Sequence, residues 1–216
     1  MKKHVLNWIG KYGEISKRIC EEENVPFQLC WAQAMLESGE GKNILASNYN
    51  FFGIKYRESL HQKYVQKWTW EWRDGKKEKV FSKFAAFNSL EEGFRGYVQF
   101  IGRDRYQHEL VPLLRLDPVR YVTWLWACGY ATAQNYVPAW VSRSQKIYKT
   151  TGDESFNLKV DKGLAACLKK LKKVTGSARR KLVAEMLVED CIGKMGAGNW
   201  TFEKYMWRVY KSWFGR

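Results

Sequence analysis

The chain has 216 residues, a formal net charge of +15 and 45% hydrophobic residues. This length suits one domain of ordinary size with a small appendage. No apolar run approaches the roughly 20 residues of a membrane-spanning helix, so the sequence predicts no membrane span. The excess of positive charge favours polyanionic partners, among them nucleic acid and the bacterial wall, without choosing between them.

Cysteine and histidine usage argues against several classes of site. The five cysteines are odd in number and include no C-x-x-C pair, and there are only three histidines. This pattern has no metal-ligand spacing and no disulfide framework. The sequence therefore predicts no metal and no cofactor, and a protein made in a reducing compartment.

Two helices are predicted at the N-terminus. Residues 5–23 have an amphipathic pattern. The residues of its apolar stripe are Trp8, Tyr12, Ile15 and Ile19. Pro26 suits the first turn of a second helix, which continues to about Ser38 and is apolar almost all round, as is typical of a buried helix. Glu37 lies at the end of that helix, immediately before a glycine-rich loop.

A loop over residues 39–63 and then a β-hairpin are predicted next. Residues 64–84 begin with a period-two alternation rich in Trp and Thr, which indicates a strand. Asp74–Gly75 marks a turn, and Lys79–Phe84 can return as the partner strand. In this arrangement Glu71 faces away from the three tryptophans of the first strand, close to the turn.

The rest of the chain is predicted to be helical. One helix begins at a capping box over Ser89–Glu92. A second begins at Asp117–Pro118 and ends at Gly129. A third follows Tyr136 and continues to about Tyr148.

The composition changes after a break near residue 150. Residues 159–216 become more basic, and three short helices are predicted there. The sequence therefore predicts a catalytic domain over residues 1–152. A basic three-helix region over residues 153–216 would follow it.

The position of Glu37 suits a particular chemistry. Glycoside hydrolysis needs a carboxylic acid that protonates the leaving oxygen, and usually a second carboxylate on the other side of the sugar. The acid must keep its proton near neutral pH, so its pKa must rise, and burial against apolar groups has that effect. A glutamate that ends a nearly all-apolar helix is suitably placed.

Four segments resemble known motifs. Ala32–Gly41 closely resembles the A-Q-x-x-L-E-S-G-x-G motif of the glucosaminidases of glycoside hydrolase family 73. Tyr49–Lys55 resembles that family's Y-N-x-F-G-[IV]-K signature. Phe84–Ser89 is similar to the segment after the family's β-hairpin, and Gly129–Thr132 with Tyr136 resembles G-Y-A-T-D-x-x-Y. The resemblance covers roughly residues 5–150.

The resemblance implies a fold and a reaction. The fold is mainly α (α+β), a lysozyme-like helical domain with a small β-hairpin lobe, here followed by the basic C-terminal appendage. The reaction is hydrolysis of the β-1,4 bond between N-acetylglucosamine and N-acetylmuramic acid in peptidoglycan. Glu37 matches the proton donor. Glu71 is the best match for the second carboxylate, with Asp74 and Glu78 as competitors.

The resemblance also implies substrate-binding residues. Asn50, Phe52 and Gly53 match the loop that lines the family's cleft, although Phe52 fits a hydrophobic core equally well. Gly53 would permit close approach of the backbone. Tyr130 and Tyr136 match aromatic positions near the cleft. Where the family usually has Asp after Gly-Tyr-Ala-Thr, this chain has Ala133. Any support that the Asp gives to the tyrosine or the loop is therefore absent here or supplied elsewhere, and the substrate preference would then differ from that of the typical member.

Other functions stay open at this stage. A lytic transglycosylase or a muramidase could use the same fold and Glu37. A non-catalytic wall-binding or virion-structural protein is the rival from another class, and the sequence has no nucleic-acid-binding motif. The basic region over residues 153–216 could bind anionic wall polymers, pack on the catalytic domain or dock onto a larger assembly.

Localisation is predicted from the N-terminus. The apolar stretch Val5–Gly10 is too short for the core of a signal peptide. The sequence therefore predicts a protein made in the cytoplasm without a recognisable signal peptide. It would act on the cell wall as a phage endolysin or a virion-borne lysin, and a bacterial enzyme exported by another route is the alternative.

Overall fold

The computed structural model describes residues 2–60, 63–73, 76–108, 111–171, 174 and 178–186. The mainly helical fold with one hairpin is confirmed. The numbered α-helices are α1 (Lys2–Glu22), α2 (Phe27–Glu37), α3 (Leu90–Ile101), α4 (Val111–Leu114), α5 (Pro118–Ala127), α6 (Tyr136–Thr151) and α7 (Lys162–Leu171), and a further helical segment covers residues 178–186. The strands are β1 (Lys63–Arg73) and β2 (Lys76–Ala86), and short 3₁₀ turns form at Ala46–Asn48 and Glu154–Phe156.

Helix α1 is confirmed, but the prediction that Ile15 belongs to its buried stripe is wrong. Trp8 and Ile19 are buried, whereas the Ile15 side chain is exposed. The buried face passes through Ser16 instead, whose hydroxyl accepts a hydrogen bond of 2.9 Å from the Trp31 indole of α2. Because Gly13 has no side chain, this ring can pack closely on α1, where an added Cβ would lie 3.2 Å from it.

Helix α2 is the central buried helix of its part of the molecule. Its seven residues from Leu29 to Met35 are all buried. Gln33 is the polar residue among them, and its side-chain oxygen accepts a 2.6 Å hydrogen bond from the Tyr97 hydroxyl of α3. Burial of an amide side chain is tolerated because that oxygen has this partner. Trp140 of α6 donates to the Leu29 carbonyl at 3.3 Å.

Strands β1 and β2 form one antiparallel hairpin, as predicted. Trp68 lies opposite Phe81, and Glu71 lies opposite Glu78. Successive side chains of a strand point to opposite faces of the sheet, so Glu71 and Trp70 are on different faces. This agrees with the predicted orientation of Glu71. The predicted turn at Asp74–Gly75 lies outside the described residues.

Helices α3 and α5 begin as their capping residues predict. The Ser89 hydroxyl accepts from the Glu92 amide at 3.1 Å. The Glu92 carboxylate in turn accepts from the Asn88 amide at 2.8 Å, one residue before the cap. At α5 the Asp117 carboxylate accepts from the Val119 amide at 3.0 Å. These bonds satisfy amides that a helix leaves without a partner at its start.

Two compact units share the chain. The first contains residues up to Arg103 together with Pro138–Leu158, and the second contains Asp104–Val137 and the described residues from Lys159 onward. These units differ from the predicted division into residues 1–152 and 153–216, which stays a prediction. No helix within the described ranges combines the length and apolarity needed to cross a bilayer.

Part of the basic C-terminal region is described. The first predicted stripe there is confirmed, because Leu164, Leu168 and Leu171 of α7 are buried. Lys169 and Lys170 on the opposite side of the helix are exposed. Residues 178–186 are also helical, as predicted. The third predicted stripe, over residues 202–213, lies outside the described residues.

Candidate active site

Glu37 is the last residue of α2. It is half-buried, whereas Leu29–Met35 in the turns before it are buried. The chain leaves the helix through Gly39 and Glu40, both with positive φ, +60° and +64°. The Asn43 side-chain amide then donates to the Glu37 carbonyl at 3.0 Å. The backbone of Glu37 is therefore held both by the rigid core helix and by the loop that follows.

Asn50 organises the loop between α2 and the hairpin. It is fully buried. Its amide nitrogen donates to the carbonyls of Ile54 (2.9 Å) and Ala85 (2.8 Å), and its oxygen accepts from the Ile54 amide at 2.9 Å. These three bonds commit both polar atoms of the side chain to the backbone. Asn50 therefore positions the loop relative to β2, and direct contact between Asn50 and a substrate stays a prediction.

Phe52 and Gly53 occupy different environments in the same loop. Phe52 is buried and stacks on Tyr97, with ring centroids 3.8 Å apart, which matches the core alternative for this residue. Gly53 has φ +66°, and a Cβ added there would lie 3.9 Å from Oε2 of Glu37. The backbone of Gly53 thus passes directly beside the Glu37 carboxylate.

Glu71 lies on the inner face of the hairpin, the face that also carries Phe84. Its side chain is 29% exposed. Oε1 forms an ion pair with the Lys55 ammonium and accepts a 3.0 Å hydrogen bond from the Ser82 hydroxyl. The Lys55 ammonium also lies 4.1 Å from the centre of the Phe84 ring. By contrast, the competitor Glu78 is exposed, and Asp74 lies outside the described residues.

A three-residue segment connects the surroundings of the two carboxylates. Gly53 lies against Glu37, and Lys55 pairs with Glu71. Residues two apart in an extended chain are separated by roughly 7 Å. Both glutamates therefore belong to one compact region, although they are 34 positions apart in the sequence.

A charged cluster lies behind the end of α2. The Glu40 side chain is 8% exposed and pairs with Arg143 at 2.6 Å and with Lys146. Burial raises the pKa of Glu40, but the hydrogen bond from Lys146 and the positive charges of Lys146 and Arg143 outweigh it, so the pKa is lowered overall. Glu40 thus acts as an ionised anchor between the loop and α6.

Tyr130 and Tyr136 lie in the second unit. Their rings are 6.0 Å apart, with Tyr136 buried. Support for the loop between them comes from the Ala133 backbone, whose carbonyl accepts from the Trp126 indole at 2.9 Å. The preceding Gly129 has φ +83°. Contact of either tyrosine with a substrate stays a prediction.

Sequence reasoning did not single out three residues that shape this region. Lys55 was visible as the last residue of a motif, but its pairing with Glu71 depends on the strand register. Ser82 gave no signal of its own. Gly93 of α3 is the third such residue. A Cβ there would lie only 2.0 Å from the Tyr49 carbonyl oxygen. The loop can approach α3 only because position 93 has no side chain.

A metal site is not evident in this region. Within the described ranges, no group of three or more His, Cys, Asp or Glu residues is arranged to hold a metal ion. The side chains described above supply the carboxyl groups of Glu37 and Glu71, the ammonium group of Lys55 and the hydroxyl group of Ser82.

Comparison with known proteins identifies the chain. Residues 13–151 match the glucosaminidase family, described as mannosyl-glycoprotein endo-beta-N-acetylglucosaminidase. The chain belongs to the glucosaminidase family. The match contains Glu37, Glu71 and the loop between them, and it ends at the last residue of α6. The resemblance inferred from the sequence motifs is confirmed.

Curated and solved relatives agree with this assignment. Peptidoglycan hydrolase FlgJ of Salmonella typhimurium is 32% identical over 132 residues, which cover 59% of this chain and 41% of that protein. The glycoside hydrolase domain of the same FlgJ, in a C-terminally truncated form, superposes with a TM-score of 0.51 at 26% identity, covering 66% of this chain and 97% of that domain. The catalytic domain of the autolysin Auto from Listeria monocytogenes gives a TM-score of 0.55 at 25% identity, with coverages of 69% and 88%.

Proposed function

We propose that this glucosaminidase-family chain hydrolyses peptidoglycan, and that it cleaves the β-1,4 bond between N-acetylglucosamine and N-acetylmuramic acid. The observation that carries the proposal is the placement of Glu37, which ends the buried helix α2 beside the bare backbone of Gly53. The curated relatives that match are named peptidoglycan hydrolases. The family description names a different glycan, so the substrate rests on those relatives.

Glu37 is proposed as the general acid. Its carboxylic proton passes to the glycosidic oxygen as the bond from that oxygen to the anomeric carbon breaks, which leaves positive charge on the sugar ring. Because Gly53 has no side chain, a sugar ring could approach the Glu37 carboxyl group from that side. The rigid helix holds the carboxyl group in place, and positioning of this kind accounts for much of the efficiency of an acid catalyst.

Glu71 is proposed as the second carboxylate. As a general base it would take a proton from the water that attacks the anomeric carbon. Alternatively the substrate's own acetamido group attacks first, and Glu71 stabilises the charge that develops. The ion pair with Lys55 and the hydrogen bond from Ser82 hold Glu71 in one orientation, which either route requires.

The bond is identified by the ends that digestion creates. Purified peptidoglycan is digested, reduced with borohydride and analysed by mass spectrometry. Reduced N-acetylglucosamine ends are expected. Reduced muramic ends would make the enzyme a muramidase, and anhydro-muramic ends would make it a lytic transglycosylase. Intact material after digestion trials on several wall types would favour a binding or structural protein.

The role of Glu71 is tested against Glu78, its neighbour across the hairpin. Glu71→Gln should lower the hydrolysis rate by roughly 10²-fold or more, the usual contribution of a general base. Glu78→Gln changes an exposed carboxylate of the same face and should have little effect. Equal losses in both variants would remove Glu71 from the proposal.

The C-terminal region is proposed to bind anionic wall polymers. Exposed Lys169 and Lys170 on α7 support this role, because clustered lysines attract polyanions over long distances at low salt. Lys169→Gln combined with Lys170→Gln should weaken binding to walls that keep their anionic polymers, and should leave binding to stripped peptidoglycan unchanged. Delivery by a phage, as an endolysin or as part of the virion, stays a prediction.

A further inference from the structure

The hairpin has a second face that the proposed reaction does not use. Its side chains point away from Glu71. We call this the outer hairpin face; the described side chains that it presents include those of Tyr64, Trp68, Trp70, Lys79, Phe81 and Lys83. The four aromatic side chains among these six residues are between 46% and 59% exposed. Exposed aromatic residues clustered on one surface are uncommon in soluble proteins and mark binding surfaces.

The rings and the lysines of this face are arranged together. Trp68 and Phe81 lie opposite each other across the strands, with ring centroids 5.1 Å apart. The Lys79 ammonium lies 5.5 Å from the Trp68 ring. The Lys83 ammonium lies 4.4 Å from the Tyr64 ring. The face therefore alternates flat apolar surfaces with positive charges.

The shape of the face suits an extended polymer. From Tyr64 to Trp70 the strand is about 20 Å long, at roughly 3.3 Å per residue. The two-stranded sheet presents these aromatic side chains on a surface where each of them is about half exposed. Such a surface contacts a chain laid along it better than a small molecule, which binds in concave sites.

We infer that the outer hairpin face binds a second glycan strand of the wall, separate from the strand that is cleaved beside Glu37. Aromatic rings pack against the apolar faces of sugar rings, and the lysines complement the carboxylates of the attached peptides. The exposed side chains described on this face include four aromatic residues and no aliphatic one, which favours sugar stacking over insertion into lipid. The identity of the polymer rests on the proposed function.

Binding is measured in the Glu37→Gln background, so that the polymer is not digested during the experiment. The probe is insoluble peptidoglycan stripped of other wall polymers, and the bound fraction is measured by cosedimentation. Trp68→Thr combined with Trp70→Thr should weaken binding roughly tenfold, because two ring contacts are lost. Gln66→Thr, an exposed change on the same face, is the matched control and should alter binding less than twofold.

A second pair of changes keeps the rings. Lys79→Gln combined with Lys83→Gln should weaken binding at low salt and reduce the dependence of binding on salt. The lysine variant provides a second test in case the hairpin does not form when the tryptophans are replaced. Circular dichroism and urea unfolding would reveal such a failure to fold. Unchanged binding in the lysine variant, or a tryptophan variant that is folded and binds like Gln66→Thr, would overturn the inference.

Other occupants of the face give distinct results. A wild-type chain that dimerises, together with a monomeric tryptophan variant, would assign the face to a second copy of the chain. Binding to anionic phospholipid vesicles that depends on the tryptophans, without an effect on peptidoglycan binding, would assign it to a membrane. Normal hydrolysis with tryptophan-independent binding refutes this inference alone. If the wild-type protein does not hydrolyse peptidoglycan but its binding depends on the two tryptophans, only the proposed reaction is refuted.

Discussion

The backbone of Gly53 lies against the carboxylate of Glu37, so that an added Cβ would be 3.9 Å from Oε2. Gly53 also has φ +66°, in the region that favours glycine. Two independent constraints, one conformational and one spatial, therefore meet at this position. The effects of these two constraints can be separated experimentally.

Gly53→Ala is expected to cost about 1–2 kcal/mol of unfolding free energy, because a Cβ is strained at positive φ. It should also lower the rate of peptidoglycan hydrolysis, because the methyl group enters the space beside Glu37. Gly152→Ala is the matched control, since Gly152 has φ +75° and nothing within 4 Å of an added Cβ. Urea unfolding and hydrolysis rates separate the two effects. Equal losses of activity in both variants would show that strain alone matters.

Gly93→Ala is expected to destabilise the protein although it lies within α3. Alanine normally stabilises a helix interior by about 1 kcal/mol relative to glycine. At Gly93 the added Cβ would lie 2.0 Å from the Tyr49 carbonyl, so the loop or the helix must move. Gly10→Ala in α1 is the control, because an added Cβ there has nothing within 4 Å. Thermal unfolding should show opposite signs for the two changes, and a gain in stability from Gly93→Ala would contradict this packing.

Lys55→Met is expected to lower the hydrolysis rate more than it lowers stability. The change removes the cation that holds Glu71, while the hydrogen bond from Ser82 remains. Lys67→Met is the control, because the Lys67 ammonium also lies over the Phe84 ring, at 5.8 Å. Steady-state rates of both variants on the same peptidoglycan check the prediction, and Lys55→Arg should restore part of the rate. Similar rates for the two methionine variants would mean that Lys55 is not a positioning residue.

Glu40 is expected to make stability depend on acid pH. Its lowered pKa means that the folded state favours the ionised carboxylate. The stabilisation is thus complete above the ordinary pKa of about 4.5 and is lost as the pH falls through the lower pKa of the folded state. Glu40→Gln should cost about 1–3 kcal/mol at pH 7, because two partly buried cations lose their partner.

Glu21→Gln provides the control for Glu40. The Glu21 side chain is 62% exposed, and its carboxylate lies 3.9 Å from the Lys17 ammonium. Surface pairs of this kind contribute less than about 1 kcal/mol. Urea unfolding at pH 7 and at pH 4 should show that the difference between wild type and Glu40→Gln shrinks at acid pH. A difference that is constant with pH would show that the Glu40 charge is not responsible.

Local sequence signals predicted most of the fold. Capping residues located the beginnings of α3 and α5, and period-two alternation located the hairpin. Ile15 was predicted incorrectly because helical periodicity alone could not show that Ser16 and Gly13 would face Trp31. Ser16 accepts the hydrogen bond from the Trp31 indole, and Gly13 leaves room for its ring, so the buried face of α1 depends on the partner helix. Such information comes from tertiary packing.

The candidate site was predictable to a lesser extent. Glu37 was identified from its helix and its motif, and Glu71 from its motif and the predicted strand. The contacts that hold Glu71 come from Lys55 and Ser82, which are distant from it in sequence. The three backbone hydrogen bonds of Asn50 likewise join segments up to 35 positions apart. Contacts at that separation leave no periodic signal in the sequence.

The most direct test of the central claim is the rate of peptidoglycan hydrolysis by Glu37→Gln, measured beside the wild type and Glu40→Gln. The amide keeps the size of the side chain but cannot donate an acidic proton. A fall of roughly 10²- to 10⁴-fold for Glu37→Gln is expected, the usual contribution of a general acid, with a much smaller fall for Glu40→Gln. A Glu37→Gln enzyme that digests peptidoglycan at the wild-type rate would contradict the assignment of Glu37 as the proton donor.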